Sequence, residues 1–313
     1  MSYQTTPDTL FATQIHELNR LLPEVRDGAV EALHRARVAS RRVREVLPLM
    51  TTRFPVDVIA ELEPMFKKTT RALARARDRD VMIGLLGELE RHMPEIIAST
   101  APLRIELERG RERLLRKTLK KLERLDVEAV ATRLSHGVGE RSVRILPWRR
   151  SGSDGWRDAL RGRVRERAEA AHEAIGRVGG VYFPNRLHSG RVSLKKLRYS
   201  AEIATATGLL DALALLRPLK KAQELLGRMH DRDVLAQYAE ETSDSAARAL
   251  VPVLEMQRRQ LHQRYLRRRQ DLMAAAETLG LLALRSRRTA LGRTGSLIVA
   301  GAALPVAWVA LRR

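Results

Sequence analysis

The chain contains no cysteine, which excludes disulfides, thiolate metal sites and a thiol nucleophile. Aromatic residues make up only 4%, too few for the stacked platforms on which single-stranded nucleic acids are usually held. No Gly-Lys dipeptide occurs, so a P-loop for nucleotide hydrolysis is absent. No run of alternating apolar and polar residues marks a strand. The opening stretch MSYQTTPDTLFATQ has neither the basic nor the apolar region of a secretory signal, and a cytoplasmic location is expected. Negative charge is also short: 37 Asp and Glu face 58 Lys and Arg, a formal charge of +21 that attracts polyanions. Nucleic acid, an anionic membrane surface and polymeric phosphate are the partner classes that fit.

Across 313 residues, 44% are hydrophobic, enough to bury a core. Ala, Leu, Arg and Glu recur, favouring helix over strand. Apolar residues return every three or four positions, which predicts helices near 8–21, 28–50, 56–75, 78–92, 100–125, 157–175, 186–207, 211–227, 232–241 and 245–277. The fold class is therefore all-α. A Gly, Pro and Ser-rich stretch from His136 to Trp156 separates two similar halves. The expected organisation is a first helical repeat over 1–146, a linker over 147–156, a second repeat over 157–280 and a basic, then apolar, tail over 281–313.

The repeat lies in two pairs of segments. HRARVASRRVRE begins at His34 and HSGRVSLKKLRY at His188, 154 residues later. FKKTTRALARARDRDV begins at Phe66 and LKKAQELLGRMHDRDV at Leu219, an offset of 153. One single-residue insertion reconciles both matches. At about 100° per residue, His34, Arg37, Arg41 and Arg44 share one helix face, with Ala32, Ala36, Ala39, Val43, Val46 and Met50 opposite. His188, Arg191, Lys195 and Arg198 form the matching stripe, opposite Leu194 and Leu197. From His34 to Arg44 the stripe is roughly 15 Å long.

Such stripes lack the carboxylates that normally alternate with cations on a solvated helix, so like charges repel at four-residue spacing. A polyanion along the stripe relieves that repulsion, because arginine grips phosphate oxygens in pairs and lysine supplies a mobile charge. Downstream, Lys67, Lys68, Arg71 and Arg75 in one copy, and Lys220, Lys221 and Arg228 in the other, extend the basic character. Asp78 with Asp80, and Asp231 with Asp233, are read as helix caps or as carboxylates that orient neighbouring arginines, in preference to metal ligands. No metal, cofactor or catalytic residue is expected. Donation to phosphate by the histidines and a purely structural role remain equally open.

These segments resemble the CHAD family, the conserved histidine α-helical domain. Its signature is two His-x-x-Arg-Val segments with basic pairs, each followed by one ending in Arg or Asn, Asp, one residue, Asp-Val. The likeness covers roughly residues 8–280. It implies two pseudo-symmetric four-helix bundles whose basic helices line a shared groove that binds inorganic polyphosphate, and an association with polyphosphate granules. By this resemblance the binding residues are His34, Arg37, Arg41, Arg42, Arg44, Lys67, Lys68 and Arg71, with His188, Arg191, Lys195, Lys196, Arg198, Lys220 and Lys221. Glu224 stands at the position of Arg71, and His230 at that of Arg77, so the halves are not equivalent. Some relatives carry a triphosphate-tunnel enzyme domain; here Glu106 and Glu108 lie in a helical stretch, and hydrolysis is not expected.

Nucleic acid is the alternative partner, although a helix in the major groove needs short polar side chains that these stripes lack. A phosphoryl-accepting role for His34 or His188 is a second alternative. The uncharged run from Gly295 to Leu311, 17 residues, is at the lower limit for a membrane span and contains Pro305. It is read first as a helix docked on the core or on another chain, and second as a membrane or granule-surface anchor.

Overall fold

The computed structural model describes residues 5–51, 54–137, 155–242 and 245–285, and among these there is no strand. The predicted linker and the apolar run 295–311 fall almost wholly outside the described residues. No helix among those described is long and apolar enough to cross a membrane. The first half holds α1 (Pro7–Arg26), α2 (Val30–Val46), α3 (Val56–His92), α4 (Ile97–Arg124) and α5 (Val127–Gly137). The second holds α6 (Gly155–Gly176), α7 (Pro184–Ala206), α8 (Leu213–Glu241), the short α9 (Ser245–Arg248), α10 (Leu250–Leu266) and α11 (Arg269–Arg285).

Local chemistry sets several of these ends. Thr6 caps α1 reciprocally with Thr9, and Pro7 occupies the first turn, where its missing N–H costs nothing. Gly28, at φ +80°, makes the turn into α2, a conformation that side chains with a Cβ disfavour. The apolar face of α2 (Ala32, Ala36, Ala39, Val43 and Val46) is buried as its periodicity predicts.

Two predicted helix breaks do not occur. α3 runs unbroken through residues 75–78 and α8 through 227–232, so Asp78, Asp80, Asp231 and Asp233 lie inside helices and cap nothing. Successive residues on a helix point about 100° apart, and the last two members of each Asp-Arg-Asp triplet meet different neighbours. Asp80 accepts from Arg111 of α4 at 2.5 Å, and Asp233 from Arg258 of α10 at 2.9 Å. Tyr182 donates its hydroxyl to Asp233 at 2.6 Å, with the Arg258 guanidinium 4.3 Å from its ring centre. The middle arginines hold the helices together: Arg79 stacks 4.0 Å from the ring of Tyr238, and Arg232 donates to Gln257 at 2.8 Å. The orientation of arginines by these acids, the other half of the sequence reading, describes Asp80 and Asp233. The predicted helix 245–277 is divided into α9, α10 and α11, and α5 was not predicted.

The halves pack by one scheme: α1 lies on α2 and α5, α2 on α3 and α3 on α4, while α6 lies on α7 and α11, α7 on α8 and α8 on α10. Each half has its own apolar cluster, one around Phe11, Leu18, Val43 and Phe66, the other around Val164, Leu194, Leu226 and Tyr265. A third cluster belongs to both. Met82, Leu86 and Leu89 of α3 and Leu103 and Leu107 of α4 meet Leu235 and Ala239 of α8 and Leu250 and Leu254 of α10. The halves are tied again where Arg167 of α6 donates to the Glu45 carboxylate at 2.6 Å and Arg163 to its carbonyl at 2.8 Å.

Replacing Asp80 by Ala leaves the largely buried Arg111 without its carboxylate, and replacing Asp233 by Ala leaves Arg258 only the longer pairing with Glu255 at 3.6 Å. Each change is expected to cost about 3 kcal/mol in urea denaturation, where loss of a helix cap costs about 1 kcal/mol.

Candidate functional site

The basic faces of α2 and α7 meet across a cleft of about 530 Å³ that α3 and α8 close. Four cations come from each half: Arg37, Arg41, Arg42 and Arg77 from the first, Arg191, Lys195, Arg198 and Arg228 from the second. Only two carboxylates line it, Glu224 and Asp231, so the positive charge is far from matched. The Nε atoms of Arg37 and Arg41 are buried with no protein partner.

One aromatic residue organises the centre. Tyr199 is 3% exposed, and the guanidinium carbons of Arg41 and Arg198 lie 4.2 and 4.4 Å from its ring centre. Arg41 also donates to its hydroxyl. Arg198 is fixed further by Gln223, at 2.8 Å, and by Glu202. Tyr199 thus joins a guanidinium from each half; the equivalent residue of the first repeat is Glu45, which binds Arg167 instead.

Burial sets the proton affinities, and neighbouring cations reinforce it. Lys195 is pushed down to about 8, by burial first and then by Arg41, Arg191 and Arg37. Burial also lowers Arg37, Arg41, Arg191 and Arg198, although guanidinium groups keep their protons at physiological pH. His34 is lowered by burial and by Arg77, which favours the neutral ring. Asp231 is raised by burial, against the pull of Arg77 and Arg191.

Of the residues singled out in the sequence, His34, Arg37, Arg41, Arg42, Arg191, Lys195 and Arg198 converge on the cleft. The others do not line it. Arg44 is half-buried on α2, its Nε without a partner. Lys67, Lys68 and Arg71 on α3, Lys196 on α7, and Lys220 and Lys221 on α8 are exposed. His188 is exposed as well, its ring centre 5.6 Å from that of His230. The cleft residues not singled out as ligands include Arg77, Tyr199, Gln223 and Arg228. Continuity of α8 was the missing signal: along an unbroken helix Glu224, Gly227, Arg228 and Asp231 repeat at three- and four-residue spacing and share one face.

Among the described residues the fold is all-helical, with a cationic cleft between two similarly packed halves, and this defines the structural class. The chain matches the CHAD domain over residues 9–240, and it belongs to that family. Its fold is similar to that of PptA from Streptomyces chartreusis, with a TM-score of 0.55 at 18% identity, covering 89% of this chain and 98% of that one. It is likewise similar to the CHAD domain from the plant Ricinus communis, with a TM-score of 0.56 at 17% identity, covering 86% and 90% of the respective chains. No curated protein matches the sequence.

The lowered Lys195 has two pH consequences of opposite sign. The unfolded chain holds this proton to its ordinary value of 10.5, whereas the folded cleft releases it near 8. Between these values the unfolded state binds more protons, so the contribution of Lys195 to stability increases with pH. An anion in the cleft favours the charged amine, so affinity falls as pH rises from 7 to 9.5 and binding takes up protons. Calorimetry in buffers of different ionisation heat measures that uptake, and Lys195→Met is expected to abolish the Lys195 part of both effects.

Proposed function

We propose that the chain binds inorganic polyphosphate in the cleft between α2 and α7 and does not turn it over. The observation that carries this reading is the convergence of eight cationic side chains on two carboxylates, four cations from each half. A linear polyanion with a charge on every unit satisfies donors arrayed along two helices at once, which a single small anion does not. The cleft offers Arg, Lys and His with no exposed ring on which a base would stack; Tyr199, its one aromatic residue, is buried beneath two arginines. This favours phosphate polymer over nucleic acid. His34 and its neighbours position and neutralise charge, and retention at polyphosphate granules in the cytoplasm follows from that affinity.

Replacing Arg37, Arg41, Arg191 and Lys195 together by Ala is expected to lower polyphosphate affinity about ten-thousandfold or more with the fold retained, since each charge-assisted contact is worth roughly 1.5 kcal/mol. Titrations at several salt concentrations should give log K against log[salt] a slope of roughly −4 to −6, for six to eight phosphates neutralised. Duplex DNA at equal phosphate concentration is expected to leave bound long-chain polyphosphate in place; displacement would overturn the preference. Incubation with labelled polymer and divalent metal is expected to release no phosphate and leave no phosphohistidine, and steady turnover would replace binding with catalysis.

A further inference from the structure

A second groove, which shares no lining residue with the cleft, has the opposite character. It runs between α6 and α11 and encloses about 730 Å³. Its floor is made of small residues, Ala168, Ala276 and Gly280, and Leu281 and Leu284 beside it are 41% and 46% exposed. Its rim carries Glu166, Glu169 and Glu277 against Arg165. On a chain of formal charge +21, an apolar furrow with an acidic edge calls for a partner that is basic and apolar.

The chain itself supplies one. A Cβ at Gly280 would lie 3.5 Å from Ala168, and one at Gly176 3.5 Å from Met273, so α6 and α11 run antiparallel. The end of α11, Arg285, therefore comes out at the Arg165 end of the groove. The sequence that follows holds Arg287, Arg288 and Arg293, then the uncharged run Gly295 to Leu311. Residues 286–294, extended at roughly 3.3 Å each, reach about 30 Å. The groove from 165 to 173 is about 12 Å long at the helical rise, so the connection is long enough to double back. A tether of that length gives a millimolar effective concentration, above that of a second copy at micromolar protein.

We propose that the groove between α6 and α11 is the docking site of the chain's own apolar segment 295–311, with the arginines of 287–293 against its acidic rim. Docking covers Leu281 and Leu284 and removes the apolar run from water. It is independent of what the cleft binds.

The absence of cysteine makes the test direct. In the full-length chain, Leu281→Cys is paired in turn with Val299→Cys, Ala303→Cys and Val306→Cys and oxidised at micromolar protein. At least one pair is expected to close within a single chain, as a faster-migrating monomer, more than tenfold faster than the same tail cysteines paired with Lys117→Cys on the exposed face of α4. Adding Glu166→Lys and Glu169→Lys is expected to slow closure at least fivefold, and Arg287→Glu with Arg288→Glu to restore it. Disulfide-linked dimers alone would assign the groove to a second copy. Sedimentation with anionic vesicles while Leu281→Cys stays open to alkylation would assign the segment to a bilayer. Either result, or closure no faster than the control, overturns the proposal.

Discussion

Everything in this structure is arranged around the mutual repulsion of two cationic helix faces. α2 and α7 bring arginines and lysines from both halves into one half-buried space, where desolvation and like charge both oppose their protonated forms. Such a cleft does not hold itself together. It is held by apolar contact on the other faces of the same helices and by carboxylates placed just outside it. Glu45 ties α2 to α6, while Asp80 and Asp233 fix α4 and α10 to the long helices. These acids of a basic protein serve the architecture, and only Glu224 and Asp231 line the cleft beside its eight cations.

The symmetry of the site is real where the duplication is strict and ends where it is not. Arg37 with Arg191, and Arg41 with Lys195, are equivalent pairs and face one another in the cleft. Beyond them the halves diverge. Both carboxylates and the central tyrosine come from the second half. The two sides of the cleft therefore differ chemically, although the repeat suggests that they match.

The basic stripes and their opposing apolar faces were legible because an amphipathic helix writes both in a single period, and Ala36, Ala39 and Val43 are as buried as that period requires. The continuity of α3 and α8 was not legible. Asp-Arg-Asp has modest intrinsic helix propensity and reads locally as a start signal, and only Arg111 and Arg258, distant in sequence, neutralise those acids in mid-helix. Arg77 and Arg228 reach the cleft along these continuous helices. The exposed Lys67, Lys68, Arg71, Lys220 and Lys221 mark the opposite limit: spacing places a cation on a face but does not say how far along the helix the cleft extends.

The shared third cluster bears on how the protein is made. As the first half leaves the ribosome, Met82, Leu86 and Leu89 of α3 and Leu103 and Leu107 of α4 have only one another until α8 and α10 have been synthesised. More than a hundred residues must emerge before that apolar surface is covered. Through that interval the nascent chain presents a sticky stripe to chaperones and to its neighbours. The two similarly packed halves thus depend on one another for completion.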